Sequence, residues 1–198
     1  MIEFFFDCSS PFTYLGFRGV QQVARDTGAE ISWRPVLVGG IFNAVNPSVY
    51  ASRTNPVPAK QSYMVKDLQD WARFYGIKII MPPDVFPVNS VKVMRACIAV
   101  EPMGKLVEFA EAAFQAYWSR NEDISDDAVV EALCRETGVD PAWLLAEIAS
   151  DPVKQQLKEN TSEVVARGGF GSPTIFVNRT DMYFGNDRLH FVRAALAQ

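Results

Sequence analysis

The first apolar run, "IEFFF" (residues 2–6), has strand length and enough bulk to be buried on both faces. It breaks at Asp7 and passes Cys8-Ser9-Ser10 before Pro11, which suits the first turn of a helix because its missing N–H would be unpaired there. The spacing predicts a helix through "FTYLGFRGVQQVARDTG", with Phe12, Leu15 and Val23 inward and Gly28 as its C-cap. "EISWRPVLV" alternates Ile31 and Trp33 and predicts a second strand, parallel to the first through a right-handed crossover. From 39 to 58, "GGIFNAVNPSVYASRTNPVP" is rich in Gly, Asn, Pro and Ser and predicts a long loop, a feature that is usually functional in a compact domain. Helical patterns follow. "AKQSYMVKDLQDWARFYG" sets Tyr63, Met64, Leu68, Trp71, Phe74 and Tyr75 near one face, and "KLVEFAEAAFQAYW" carries an apolar stripe at helical spacing. Ser125 is the expected N-cap of a helix ending at Gly138, and two further helices open on Asp-Pro, the Asp as cap. The end of the chain returns to a β pattern: "TIFV" and "MYF" joined by "NRTD", then a terminal helix capped by Asn186.

Composition narrows the choices. A chain of 198 residues fills one good core, as one domain or as a domain with a large insertion. A net charge of −4 argues against nucleic acid and against a polybasic membrane anchor. No apolar run has the length of a membrane span, and the N-terminus lacks a signal-peptide pattern, so the expected location is cytoplasmic. Cys8, Cys97 and Cys134 are dispersed and odd in number, which argues against a disulfide framework or a Cys-bound metal. His190 is the single histidine; it removes the usual zinc sets and disfavours a Ser–His–Asp triad, so no metal is expected and His190 is read as a surface residue.

Strand–helix–strand, a helical block, then a hairpin and a last helix is the element order of a thioredoxin-like α/β sheet carrying a large all-helical insertion. In that fold the reactive group sits where the first strand meets its helix, here Ser10-Pro11, and a proline before a later strand faces it, typically in the cis form; "GSPTIFV", with Pro173, matches. Redox members of the DsbA-like branch carry C-P-x-C at the first position. Ser10 and Thr13 stand there instead, and Cys8 lies two residues too early. A dithiol–disulfide couple needs two thiols, so Cys8 reads as a small buried residue that packs.

"DCSSPFTYLG", "GGIFNAVN", "PAKQSYMVKDL", "FPVNS", "GFGSPT" and "GNDRL", in this order, resemble the 2-hydroxychromene-2-carboxylate isomerase family and the related kappa-class glutathione transferases over essentially the whole chain. The resemblance implies a discontinuous thioredoxin-like domain (1–40 and 168–198) and, between its parts, an active-site loop and helical insertion domain (41–167). It implies glutathione as cofactor. Ser10 then donates its hydroxyl to the glutathione sulfur and stabilises the thiolate at a helix N-terminus without itself being the nucleophile; its plain alternative is an N-cap. Ser172, before Pro173, offers its backbone to the cysteinyl unit. Asn186 and Asp187, with Arg188 beside them, meet the γ-glutamyl end; Lys60 pairs with the glycyl carboxylate; Asp67 reaches the γ-glutamyl amine of a neighbouring subunit. Asn46 contacts glutathione and, with Asn89, the substrate; because residues 47–57 fit the family spacing poorly, Asn55 stays open as the glutathione-contacting asparagine, with Asn46 favoured by its place after "GGIFNAV".

The implied reaction interconverts a cyclic aromatic-derived carboxylate and its open-chain trans-conjugated pyruvate by reversible thiolate addition. The rival readings are a kappa-like transferase that conjugates glutathione to electrophiles, a DsbA-like thiol oxidoreductase, and a non-catalytic peptide-binding module using the same groove. A homodimer is expected from the resemblance and from the aromatic density of "YMVKDLQDWARFY". The only other partner expected is a small aromatic-derived substrate, with no nucleic acid and no membrane.

Overall fold

Strand β1 (Ile2–Phe6) is buried along its whole length because it lies inside a four-stranded sheet of order β2-β1-β3-β4. In the computed structural model, which describes residues 1–197, β1 pairs in parallel with β2 (Ile31–Pro35), from Ile2 opposite Ile31 to Phe6 opposite Pro35. On its other edge it pairs antiparallel with β3 (Thr174–Val177), which turns through Asn178 and Arg179, both at positive φ, into β4 (Asp181–Phe184). Side chains alternate across the sheet. Phe4 and Phe6 enter the main core with Phe17, Trp33 and Phe114, while Phe5 packs on the opposite face with Val36, Ile41, Val164 and Phe176. Each fully buried Phe contributes roughly 1.5–3 kcal/mol, so the triple-Phe run anchors both faces. Glu3, in the same strand, is accommodated by Arg167, whose Nη1 and Nη2 donate to its two carboxylate oxygens at 3.0 and 2.6 Å. That pairing holds the Glu3 carboxyl below its usual range.

Helix α1 (Pro11–Thr27) makes the crossover and stops at Gly28, whose φ of 71° is the left-handed conformation glycine adopts freely. The stretch 39–58, expected as one long loop, is largely two short helices, α2 (Val38–Val45) and α3 (Ser48–Thr54). Tertiary bonds make α2 possible. Val38 N–H, an unpaired donor at the helix start, donates to Asp7 Oδ2 at 2.8 Å, and Leu37 N–H donates to Thr161 Oγ1 at 3.0 Å. Gly40 lets the helix approach its neighbour: a Cβ there would lie 3.2 Å from the Thr161 methyl.

The insertion continues with α4 (Pro58–Tyr75), α5 (Val91–Val100), α6 (Leu106–Phe114), α7 (Asp127–Glu136), α8 (Pro141–Glu147) and α9 (Asp151–Ala166). Several expected details are corrected. On α4 Leu68 and Ala72 are buried and Trp71 and Tyr75 pack partly buried against the core, but Tyr63 and Phe74 are 65% and 76% exposed, so the expected single face is split. Asp126 caps α7 by accepting from Ala128 N–H, whereas the Ser125 hydroxyl donates to Asp123. Ser150 caps α9, because Asp151 already has helical backbone. The α6 stripe is buried as expected, but the helix widens into a π turn at Gln115–Ser119. The terminal helix α10 (Leu189–Leu196) follows a short 3₁₀ turn, Asn186–Arg188, and Asn186 is buried there instead of capping it.

Candidate active site

Ser10 follows the end of β1 and is the N-cap of α1, with its hydroxyl oxygen accepting from Thr13 N–H at 3.2 Å. The same hydroxyl donates to the Ser172 carbonyl at 3.3 Å, which joins the start of α1 to the loop before β3. Ser172 Oγ accepts from Asp7 N–H at 3.1 Å and shares a hydrogen with Thr13 Oγ1 at 2.8 Å. The Ser172–Pro173 peptide is cis. The Pro173 carbonyl accepts from Gly185 N–H at 3.1 Å, and Gly185, at φ 94°, delivers the next residue, Asn186, beside this loop. Ser10, Ser172, Pro173 and Asn186 therefore converge. No acidic side chain stands in the first turn of α1, so its positive end is unneutralised there.

Asp7 was not singled out by sequence, yet it organises this cluster. It is 1% exposed; its carboxylate accepts from Ser9 N–H at 2.9 Å and from Val38 N–H at 2.8 Å. Burial pushes its pKa up, and the two N–H donors oppose that shift. The signal was present in the sequence: an acid placed directly at the end of a strand that is apolar on both faces must be buried and paired.

Cys8 is buried completely, with its N–H toward Met94 sulfur and its carbonyl accepting from Trp118 Nε1 at 2.9 Å. Burial, with Cys97 beside it, drives its thiol pKa well up, away from the thiolate form that reacts. The π turn thus has a local use, since it presents Trp118 to the loop that carries Ser10.

The remaining expected residues lie further out. Asn46 donates to the Phe170 carbonyl at 3.1 Å and accepts from Ser48 Oγ at 2.8 Å, so both ends of its amide are engaged locally. Asn55 is the exposed C-cap residue of α3. Asn89 accepts from Val91 N–H at 3.1 Å at the entrance to α5. Asp187 and Arg188 are exposed and pair with each other. Lys60 is exposed and Asp67 half-buried on α4, and no hydrogen bond among the described residues joins either to Ser10 or Ser172. His190 is exposed on α10.

The sequence matches the DSBA-like thioredoxin domain from residue 1 to residue 197. The chain belongs to that family. Among named relatives of this DSBA-like protein, the 2-hydroxychromene-2-carboxylate isomerase of Sphingobium xenophagum is 30% identical over 198 residues, covering 98% of this chain and 97% of the relative. The glutathione S-transferase kappa 1 of Homo sapiens is 30% identical over 212 residues, covering 100% and 91%. A solved 2-hydroxychromene-2-carboxylate isomerase superposes with a TM-score of 0.83 at 24% identity, over 99% of this chain and 94% of that one, and supports the same fold. No helix among the described residues is long and apolar enough to cross a membrane. Within this DSBA-like frame the site offers a hydroxyl and a helix N-terminus where thiol members hold cysteine, facing a cis-proline loop.

Proposed function

We propose that the protein is a glutathione-dependent cis–trans isomerase that interconverts 2-hydroxychromene-2-carboxylate and trans-o-hydroxybenzylidenepyruvate or a similar aromatic-derived conjugated pyruvate. The observation that carries this reading is the hydroxyl of Ser10 at the open positive end of α1, 3.3 Å from the carbonyl before cis-Pro173, in a site whose nearest protein thiol, Cys8, is sealed in the core. A site of this kind suits a thiol brought from outside.

The residues fit glutathione on an independent count. Asn186 Nδ2 is buried with no hydrogen-bond partner among the described residues, next to the loop that presents Ser172 and Pro173. An unpartnered buried donor costs about 1–3 kcal/mol, and a carboxylate in reach would satisfy it. Asn186, Asp187 and Arg188 would hold the γ-glutamyl end, the Ser172 backbone the cysteinyl unit, and Lys60 and Asn46 the glycyl side. When bound, glutathione supplies a thiolate that adds reversibly to a conjugated double bond and so permits rotation about it. The chain's part is to hold charge and orientation. Ser10 turns its hydroxyl from the Ser172 carbonyl toward the sulfur, and the positive end of the α1 dipole, with the Phe12 N–H, favours negative charge there. Asp7 fixes the Ser9–Ser10 backbone, accepting from Ser9 N–H with its carboxylate and from Ser10 N–H with its carbonyl.

A kappa-like transferase, which keeps the product joined to glutathione, is the second reading; the two named relatives at equal 30% identity support it as well. Calorimetry with millimolar glutathione tests both: a micromolar-to-millimolar Kd is expected, and an absence of heat sinks them together. Mass analysis after incubation with a conjugated aromatic pyruvate separates them. The isomerase returns glutathione unconsumed and the transferase does not. A dithiol oxidoreductase is disfavoured by Ser10 and Thr13. The same proposal includes the glutathione-rich cytoplasm as its setting and a homodimer joined through the exposed aromatic face of α4, with Asp67 acting across it.

A further inference from the structure

Arg53 is an exposed arginine on α3 with no hydrogen bond or ion pair among the described residues, yet its guanidinium is held in place. Its Cζ lies 5.8 Å from the ring centre of Phe42 and also 5.8 Å from that of Phe86, within the range of cation–π attraction on both sides. The two rings connect to the two sides of the Ser10 region by separate contacts. Phe42, on α2, stands beside Gly171, where a Cβ would lie 3.7 Å from its ring, and so flanks the Ser172–cis-Pro173 loop. Phe86 packs against Trp118, with ring centres 6.5 Å apart, and Trp118 donates to the Cys8 carbonyl two residues before Ser10. Arg53 therefore bridges two rings, one beside the segment that leads into Ser172 and the other packed on the tryptophan that bonds the Cys8 carbonyl.

We infer that Arg53, cradled by Phe42 and Phe86, is the anchor for the carboxylate of the second substrate, and that this subsite selects planar, conjugated aromatic carboxylates over their neutral analogues. The chemistry is complementary at each point. A guanidinium without a counter-ion presents a donor fork matched to a carboxylate, and two phenyl rings offer flat apolar contact to a conjugated body lying between Arg53 and Ser10. The segment that carries Arg53 is the one that departs from the family spacing, so the selectivity belongs to this chain. The inference rests on the proposed function in taking the cleft above Ser10 as the second-substrate site, and its test does not need glutathione.

Calorimetry with trans-cinnamate and its neutral amide, trans-cinnamamide, each without glutathione, reads the subsite directly. Wild type is expected to bind cinnamate about tenfold more tightly than the amide, the scale of one charge-assisted contact at a partly exposed site. Arg53→Gln removes the preference and leaves the amide affinity unchanged; Arg53→Lys restores part of it. A parallel titration with glutathione gives the same affinity in wild type and Arg53→Gln. The inference is overturned if wild type binds no cinnamate or binds the two probes equally, if Arg53→Gln keeps the preference, or if Arg53→Gln weakens glutathione instead, which would assign the arginine to the glycyl carboxylate. If wild type fails to bind glutathione while the cinnamate preference and its loss in Arg53→Gln persist, the proposed function falls and the anionic subsite stands.

Discussion

The floor of the cleft and its rim differ in how they are held. On the floor, Asp7, Ser10, Thr13 and Ser172 exchange hydrogen bonds with one another and with the backbone, and all but Ser10 are buried. On the rim, residues 51–60 are exposed throughout, the Lys60 side chain has no hydrogen bond among the described residues, and the Arg53 guanidinium is flanked only by two rings. The difference follows from what each must do. A floor that sets the charge state of a thiol works best if its heavy atoms are fixed beforehand, so that only the Ser10 O–H has to turn toward the sulfur. A rim that admits substrate must leave polar groups free for the ligand or for a second subunit.

Breaking the floor at its hub has the largest expected effect. Asp7→Ala leaves the Ser9 and Val38 N–H groups without their acceptor, at about 1–3 kcal/mol each, so urea denaturation should show a loss of about 2–6 kcal/mol together with loss of glutathione binding. A loss below about 1 kcal/mol would mean that water or a neighbouring group replaces the carboxylate. The sign of the pH dependence sharpens the point. Burial raises the folded-state pKa of Asp7 above its unfolded value, so between the two the folded protein holds more protons. Stability must then fall as pH rises through the window that begins at the ordinary aspartate range, and the part due to Asp7 must be missing in Asp7→Asn.

The rim is sharpened by its aromatic residues. Tyr63 and Phe74, at 65% and 76% exposed, are large apolar groups that no element of the same chain covers. Light scattering at micromolar concentration should give a dimer mass, and Phe74→Asp should shift it toward the monomer. A monomeric wild type would remove both the dimer and any role for Asp67 across it.

The floor was more legible in the sequence than the rim, for a physical reason. Ser10-Pro11 and Gly28 act through local backbone chemistry, an N-cap with proline at the first helical position and a left-handed C-cap, and both stand where their types predict. Pro173 announces itself ahead of a strand in the same way. Residues 39–58 read as loop because Gly39, Gly40, Asn46 and Pro47 lower intrinsic helicity, while the bonds that compensate come from Asp7 and Thr161, remote in sequence. Asp7 was legible only as the residue that ends the apolar run; its partners, Ser9, Val38 and Ser172, come from three separate segments. Asn186 carried a capping signal that the 3₁₀ turn redirected into the interior. Nothing in the apolar stripe of α6 foretold its π turn, since the stripe reads the same to period 3.6 until the register of Trp118 against Cys8 is known.

The central claim is that Ser10 stabilises a thiolate that the protein does not itself supply, and that Cys8 only packs. The direct test is a pH titration of the ultraviolet absorbance of bound glutathione thiolate in wild type, Ser10→Ala and Cys8→Ala. The account predicts a wild-type midpoint below the value of about 8.5 for a free thiol. Ser10→Ala should raise it by about 1–2 pH units, the equivalent of one hydrogen bond to a charged partner, and slow turnover on the order of ten- to a hundredfold. The Cys8→Ala curve should coincide with wild type. A Cys8→Ala curve that moves while Ser10→Ala overlays wild type would contradict the account and shift the reactive position by two residues.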